Sequence, residues 1–122
     1  MLKIILVSNR EKIFDSFIAG LQSNQDVQIE ICSKAHCAID MTRRHSPQLV
    51  VIDYHLEDMS HVRLADTLRK LDADMPLYML TTMDEEYFRQ ATADIGQVYR
   101  LPSPPFAGDA HGVLQQLQAT VC

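Results

Sequence analysis

The sequence predicts an α/β fold with a doubly wound, five-stranded parallel sheet. Two observations predict it: five short apolar runs rich in branched or aromatic residues recur along the chain, and segments with helical spacing separate them. Strands that alternate with helices pair in parallel, because each helix returns the chain to the same end of the sheet. The expected element order is (βα)5, within a single domain of residues 1–122.

The five predicted strands also indicate their own order in the sheet. They are Lys3 to Val7, Val27 to Ile31, Leu49 to Ile52, Leu77 to Leu80, and Gln97 to Leu101. The first and third runs are continuously apolar, whereas the second alternates and the fifth carries Gln97 and Arg100. Because strands covered on both faces are continuously apolar and edge strands can alternate, the second and fifth strands belong at the edges. The order 2-1-3-4-5 follows, which is that of flavodoxin-like folds.

Each predicted helix places its apolar side chains on one stripe of a 3.6-residue period. The stripes are Ile13, Phe14, Phe17, Ile18 and Leu21; Ala35, Ala38 and Ile39; Val62, Ala65 and Leu68; Tyr87, Phe88, Ala91 and Ile95; and Val113, Leu114, Leu117 and Val121. Thr82 with Glu85 has the form of a capping box for the fourth helix. We expect the mixed charges of the third helix to be a solvated face: Arg63, Asp66, Arg69, Lys70 and Asp72.

Composition and charge exclude several classes of function. A hydrophobic fraction of 47% and a charged fraction of 22% are ordinary for a globular protein. The net charge of -5 disfavours nucleic-acid binding, which relies on Lys and Arg. The run Ile4 to Val7 is too short for a signal-peptide core or a membrane span. We therefore expect a cytoplasmic protein that binds neither nucleic acid nor membrane.

The cysteines and histidines match no metal-ligand pattern. Three cysteines are an odd number, and His36 beside Cys37 does not complete a site with Cys32. We expect reduced thiols that are buried or, for Cys122, terminal, with zinc as the lesser alternative. The spacings of the other histidines fit no motif, so we expect exposed side chains at His45, His55 and His61.

A candidate site follows from the predicted strand order. Its switch point lies between strands 1 and 3, and ligands of open α/β sheets bind outside the carboxyl ends of the strands there. Just past those ends lie Ser8, Asn9, Asp53 and, after strand 4, Thr81. An aspartate directly after a buried strand costs desolvation, so its presence requires a reason. It is either an ordinary loop or capping residue, or a nucleophilic carboxylate that forms an acyl phosphate.

Four segments resemble the receiver domains of bacterial response regulators, and together they cover nearly the whole chain. They are Lys3 to Val7 with the polar pair after it, Pro47 to Asp53, Leu56 to Ser60, and Met75 to Thr81. The resemblance implies a non-enzymatic receiver module of a two-component phosphorelay. It makes Asp53 the phosphoacceptor, Thr81 the switch hydroxyl and Tyr99 its aromatic partner. Equally open is that Thr81 only caps the next helix and Tyr99 is only half buried.

Two elements of the family's site are missing from this sequence. The family has two acidic residues after strand 1 that hold magnesium, where this chain has Ser8 and Asn9. The family also has a lysine after strand 5. That position falls here on Pro102, Ser103 or Pro104, depending on the register. The resemblance is therefore to a divergent, pseudo-receiver-like member of the family.

The departures predict weak phosphoryl chemistry. Phosphoryl transfer depends on positioning and on neutralising charge, which metal ions and cationic side chains supply. No cofactor is certain: we expect magnesium to bind weakly or not at all, through Asp53, Asn9 and the main-chain carbonyl of His55. We also expect Arg10 to pair with Asp53. Phosphorylation at Asp53 is then allowed by position but impaired.

Partners and rival functions follow from the same comparison. The resemblance implies a sensor histidine kinase or another signalling protein as partner, and a homodimer through helix 4, strand 5 and helix 5 as a further candidate. A small phosphatase with an aspartate nucleophile would need a second aspartate where His55 stands. A nucleotide-binding flavodoxin-like domain would need a glycine-rich loop after strand 1, and Ser8 to Lys12 contains no glycine.

Overall fold

The computed structural model describes residues 2–23, 26–102 and 105–121, and only the backbone of residues 117–121. The strands are β1 Leu2–Val7, β2 Val27–Cys32, β3 Leu49–Ile52, β4 Leu77–Leu80 and β5 Val98–Leu101. The helices are α1 Asp15–Gln22, α2 Ala35–His45, α3 His61–Leu71, α4 Glu85–Ala91 and α5 Ala107–Val121, and a 3-10 turn at Glu11–Phe14 precedes α1. The predicted strand bounds agree with these to within one residue.

The strands form one parallel sheet in the predicted order β2-β1-β3-β4-β5. β1 lies between β2 and β3, so that Ile4 pairs with Ile29 on one side and with Leu49 on the other. The chain first moves outward from β1 to β2 and then returns across β1 to β3, which makes this boundary the topological switch point. The carboxyl ends of β1 and β3 therefore lie side by side.

The sheet separates two apolar cores. Phe14, Phe17 and Leu114 belong to the core under α1 and α5. Leu64 and Phe88 belong to the core under α2, α3 and α4. All four residues of β3 are buried, as expected for a central strand with a helix layer on each face. Each fully buried large apolar side chain contributes about 1.5–3 kcal/mol to folding.

The start of α4 corrects one prediction from the sequence. The N-cap is Asp84, whose carboxylate accepts a hydrogen bond from the backbone N–H of Tyr87 at 2.8 Å. Thr82 is exposed and is not the capping residue. Asp84 precedes the helix directly, so its short acceptor reaches an orphan N–H of the first turn.

Arg69 corrects a second prediction, because its side chain is half-buried rather than part of a solvated face. Its guanidinium donates hydrogen bonds at 2.5–2.7 Å to the backbone carbonyls of Ile95, Met75 and Gln97. Burial lowers the pKa of Arg69 from its usual value. These bonds join the last turn of α3 to the segments that enter β4 and β5, so Arg69 holds the amino ends of both strands.

Candidate functional site

Asp53 is the centre of the candidate site and is fully buried. Its backbone N–H donates to the carbonyl of Val7 at 2.9 Å, which extends the pairing of β1 and β3 by one residue. A buried carboxylate loses its hydration, and hydrogen-bond donors from the protein must offset that loss. The loops after β1 and β3 provide those donors.

Ser8, Arg10 and His55 are the donors to Asp53. The hydroxyl of Ser8 donates to Oδ2 at 2.8 Å, and the backbone N–H of His55 donates to Oδ1 at 3.3 Å. Arg10 donates from Nε to Oδ2 at 3.1 Å and from Nη2 to Oδ1 at 2.7 Å. Two parallel charge-assisted bonds are the strong geometry for a guanidinium and a carboxylate. The predicted pairing of Arg10 with Asp53 is present in the structure.

Local contacts hold Arg10 over the site. Its backbone N–H donates to Ser8 Oγ at 2.9 Å, so one hydroxyl connects the loop backbone to the buried carboxylate. Its Cζ lies 4.9 Å from the ring centroid of Tyr54, within cation–π range. Hydrogen bonding to Asp53 raises the pKa of Arg10 above its usual value. The Arg10 side chain keeps 32% of its surface exposed, whereas the Asp53 side chain keeps none.

Asn9 and His55 do not arrange their side chains around Asp53. Both residues are exposed. In the described part of the chain, no hydrogen bond joins the Asn9 amide to Asp53, and His55 reaches the carboxylate through its N–H. The groups that hydrogen-bond to the Asp53 carboxylate are therefore the donors of Ser8, Arg10 and the His55 backbone.

Thr81 directly follows β4 and Tyr99 lies in β5, and both side chains are engaged elsewhere. Thr81 is buried, and its Oγ1 accepts a hydrogen bond from the backbone N–H of Met83 at 3.1 Å. Tyr99 is half-buried and packs on Tyr78, with ring centroids 5.0 Å apart. Among the residues that the structure describes, neither side chain is hydrogen-bonded to Asp53. The roles of Thr81 and Tyr99 in switching stay predictions.

Asp58 is a residue near the site that the sequence did not reveal. Its carboxylate accepts hydrogen bonds from the backbone N–H groups of Ala35 and His36 at 3.0 and 3.1 Å, and His36 Nδ1 lies 2.7 Å from it. Partial burial raises the pKa of Asp58, but these hydrogen bonds outweigh burial and lower it to about 2. The loop after Asp53 therefore caps α2. The sequence indicated the loop that contains Asp58. It did not indicate that Asp58 contacts Ala35 and His36, which lie far from it along the chain.

His61, at the start of α3, contradicts the expectation of an exposed side chain. It is half-buried, and its Nε2 is buried without a hydrogen-bond partner among the described residues. Burial lowers the pKa of His61, and the charge of Asp53 opposes this shift. His45 and His55 are exposed, as predicted. The sequence could not distinguish them, because burial of His61 depends on tertiary packing.

The remaining sequence candidates have mixed outcomes. Cys32 is buried as expected, but Cys37 is exposed. Cys122 lies outside the described residues, as do Ser103 and Pro104 at the position of the family's lysine. Within residues 2–23, 26–102 and 105–121, no three His, Cys, Asp or Glu side chains are grouped so that they could hold a metal ion. Across the same residues, no helix has the length and apolarity needed to span a membrane.

The fold is that of CheY-like proteins. The CheY-like response regulator receiver domain protein from Methanospirillum hungatei JF-1 matches with a TM-score of 0.83 at 20% identity, over 98% of this chain and 95% of that one. Chemotaxis protein CheY4 of Vibrio cholerae matches with a TM-score of 0.83 at 18% identity, over 96% of this chain and 98% of its own. At such identities the likeness establishes the fold alone.

Sequence comparison shows the family to which the chain belongs. The model of the response regulator receiver domain matches residues 4–104, and the chain therefore belongs to this family of two-component signalling domains. Transcriptional regulatory protein CreB of Escherichia coli (strain K12) is 28% identical over 91 residues, which make up 75% of this chain and 39% of CreB. The chain thus spans well under half of that relative's length. Receiver domains interact with histidine kinases or other signalling proteins.

Proposed function

We propose that this chain is an atypical receiver module that acts through protein–protein interaction, and in which phosphorylation at Asp53 is impaired. The observation that carries the proposal is the two-bond contact between Arg10 and Asp53. Before Asp53 can attack a phosphoryl donor, one of its oxygens must lose donors that offset its burial. The ground state of the nucleophile is therefore stabilised, which raises the barrier to transfer.

The charge of the pocket supports the same proposal. In the family, three carboxylates are balanced by a magnesium ion and a lysine. Here one carboxylate, Asp53, is balanced by one guanidinium, that of Arg10. The pocket reaches neutrality without a metal, but a single cation must then neutralise both Asp53 and an incoming phosphoryl group. Catalysis of phosphoryl transfer loses the larger part of its electrostatic stabilisation.

The residues present do not fit a magnesium ion. Magnesium prefers octahedral oxygen coordination with one or two carboxylates. Among the described residues, the three that follow β1 and the three that follow β3 include one carboxylate, that of Asp53, and each of its oxygens accepts a hydrogen bond from Arg10. A divalent cation there would face a guanidinium at short range, which opposes binding. We therefore propose weak or no magnesium binding by Asp53, Asn9 and the His55 carbonyl.

Partner binding is the proposed output, with no catalytic activity of the chain's own. A sensor histidine kinase or another signalling protein is the proposed partner, and α4, β5 and α5 are the proposed face for it or for a second copy. A cavity of about 620 Å³ between α4 and β5 supports this choice, with Phe88, Arg89 and Tyr99 in its lining. We also propose that the module is cytoplasmic and does not bind nucleic acid directly, and the net charge of -5 supports the second of these statements.

Phosphorylation with acetyl phosphate tests the proposal. The wild type, Arg10→Ala and Asp53→Asn are treated with and without magnesium, and Asp53 is examined by intact mass and peptide mapping. We expect little modification of the wild type and no dependence on magnesium. The Asp53→Asn variant reports background at other sites. Stable, magnesium-dependent modification of Asp53 in the wild type would overturn the proposal.

The output is tested separately by partner capture. A candidate histidine kinase is bound to wild type and to Asp53→Asn, which keeps the shape of the side chain but not its charge. We expect both proteins to bind the kinase equally if signalling does not depend on an acyl phosphate. Binding that requires acetyl phosphate pretreatment, and that Asp53→Asn abolishes, would contradict the proposal.

A further inference from the structure

Two thiols lie in contact beside the candidate site. Cys32 ends β2 and Cys37 lies in the first turn of α2, with Sγ atoms 3.0 Å apart. Both are free thiols. Since a disulfide bond is about 2.05 Å long, the two sulfurs need to approach by about 1 Å more to form one. The Cys37 thiol donates to the sulfur of Cys32, so a proton and a lone pair already face each other across the gap.

We propose that Cys32 and Cys37 form a reversible redox pair, which closes to an intramolecular disulfide on reaction with hydrogen peroxide. The pair is asymmetric: Cys37 is exposed, whereas Cys32 is fully buried. A dissolved oxidant therefore reaches Cys37 first. Cys32 is the resolving thiol, because it lies directly behind Cys37 and is shielded from the oxidant itself.

The environment of Cys32 agrees with this division of roles. Burial raises the pKa of Cys32 to about 12, and contact with Cys37 adds to the effect. Its thiol therefore stays protonated at neutral pH and is a poor first nucleophile, since the thiolate is the reactive form. The Sδ of Met41 lies 3.1 Å away and accepts from the Cys32 thiol.

The proposed reaction has two balanced steps. The Cys37 thiol gives up its proton, the thiolate attacks one peroxide oxygen and the O–O bond breaks, so that Cys37 sulfenic acid is formed and the departing hydroxide takes up that proton and leaves as water. The sulfur of Cys32 then attacks the sulfur of Cys37, the S–O bond breaks, and the departing hydroxide leaves as water with the Cys32 proton. In total the two thiols lose two electrons and two protons, and hydrogen peroxide is reduced to two molecules of water. A dithiol reductant reverses the disulfide.

The position of the pair connects it to the Asp53 pocket. The carbonyl of Cys32 accepts a hydrogen bond from the backbone N–H of Ser8 at 2.8 Å, and the hydroxyl of Ser8 donates to Asp53. The first turn of α2, which holds Cys37, is capped by Asp58 from the loop after β3. A disulfide between Cys32 and Cys37 therefore links two backbone segments that contact the site loops, and it restricts the movement of α2 against β2.

Peptide mapping of the oxidised full chain tests this proposal. Trypsin cleaves after Lys34, between the two cysteines, so a disulfide joins peptide 13–34 to peptide 35–43. The native protein is treated with hydrogen peroxide, free thiols are alkylated, and the unreduced digest is examined by mass spectrometry. We expect the joined peptides to appear, the intact mass to fall by two hydrogen atoms, and dithiothreitol to restore both peptides.

Three variants make the test decisive. Cys37→Ser should abolish the joined peptide, and Cys122→Ser should leave its yield unchanged. The proposal is overturned if native Cys37 ends as a sulfinic acid without a joined peptide, or if the disulfide formed involves Cys122 or a second chain. The Asp53→Asn variant should form the disulfide with the same yield as the wild type. Since this variant lacks the carboxylate that would accept a phosphoryl group, an equal yield shows that disulfide formation does not depend on phosphorylation of Asp53.

Discussion

At the scale of single residues, Asp53 shows how one cation can take over the support of a buried carboxylate. Arg10 bonds to both of its oxygens, while Ser8 and the backbone of His55 complete the set of donors. Removing one partner of a buried pair is costly, because the other charge remains buried and uncompensated. The partial exposure of Arg10 lets water replace some of the lost bonds.

We therefore expect Arg10→Ala to lower the free energy of unfolding by about 2–3 kcal/mol, which is less than the roughly 3–5 kcal/mol for a fully buried pair because Arg10 is partly exposed. The same change in an Asp53→Asn background should cost clearly less, because no buried charge is left unpaired. Urea denaturation of the four proteins measures this coupling. Arg44→Ala is the control, since its pair with Asp40 is exposed and should be worth about 0.5 kcal/mol or less. Equal costs for Arg10→Ala and Arg44→Ala would refute the prediction.

The partial burial of His61 predicts that the stability of the protein depends on pH. Burial lowers its pKa in the folded state, so between that value and the ordinary pKa of about 6.5 the unfolded chain binds a proton that the folded chain does not. Stability therefore rises with pH across this window and falls on acidification below about 6.5. Urea denaturation at about pH 5.5 and about pH 7.5 measures the change.

The variant His61→Leu should remove this pH-dependent component. It also replaces the buried, unpartnered Nε2 with an apolar group, so stability at neutral pH should be equal or higher. His45→Gln is the control, because His45 is exposed and its removal should leave the pH dependence unchanged. A His61→Leu protein that keeps the full pH dependence of the wild type would contradict this assignment.

At the scale of elements, α2 begins without a cap of its own. Its N-cap residue Lys34 makes no side-chain cap, and the carboxylate of Asp58 accepts the N–H groups of Ala35 and His36 instead. The helix start is thus held by a tertiary contact from the loop that follows Asp53. The negative charge of Asp58 at the amino end of α2 also interacts favourably with the helix dipole.

At neutral pH we expect Asp58→Ala to lower the free energy of unfolding by about 2 kcal/mol, because the pKa of the Asp58 carboxyl is nearly two units lower in the folded protein than in the unfolded chain. Because the pKa of Asp58 is lowered to about 2, its contribution is present above about pH 4 and is lost as the pH falls towards that value. Thermal unfolding at neutral pH and at acidic pH checks both statements. Asp84→Ala, at the local cap of α4, should cost about 1 kcal/mol. An unchanged cost of Asp58→Ala below about pH 2 would exclude this explanation.

At the scale of the whole molecule, the close approach of α1 and α5 depends on Gly20. A Cβ at Gly20 would lie 2.8 Å from the Cβ of Ala110 and 3.0 Å from the carbonyl oxygen of Ala107. The first contact is shorter than a Cβ atom makes with an atom to which it is not bonded, and the second, with helix backbone, is tighter than an ordinary van der Waals contact. Any larger residue at this position must separate the two helices that cover one face of the sheet.

We expect Gly20→Ala to lower the free energy of unfolding by about 1–3 kcal/mol through overpacking, although alanine favours helix. The matched control is Gly112→Ala in α5, where nothing lies within 4 Å of the added Cβ. There the same change should stabilise the protein by about 0.5–1 kcal/mol. Urea denaturation of both variants measures the difference. Stabilisation by Gly20→Ala would show that α1 can move away from α5 at no cost.

The sequence predicted the fold well, because its signals are local or follow from layer packing. Continuous apolar runs identified the central strands β1 and β3, and the alternating run identified the edge strand β2. Ser8 and Arg10 were found because they directly follow a strand end at the switch point. Asp58 and Arg69 were missed, since their partners lie far along the chain and only packing brings them together.

By itself, the sequence determined the order of the elements, the order of the strands and the edge of the sheet at which Asp53 lies. Periodicity and strand continuity are sufficient for this, since each reflects which faces of an element are buried. Only the tertiary structure decided which donors surround Asp53, that Asp58 caps α2, and that Cys32 and Cys37 are in contact. Those contacts depend on distances of a few ångströms between separate elements, which packing determines and local patterns do not encode.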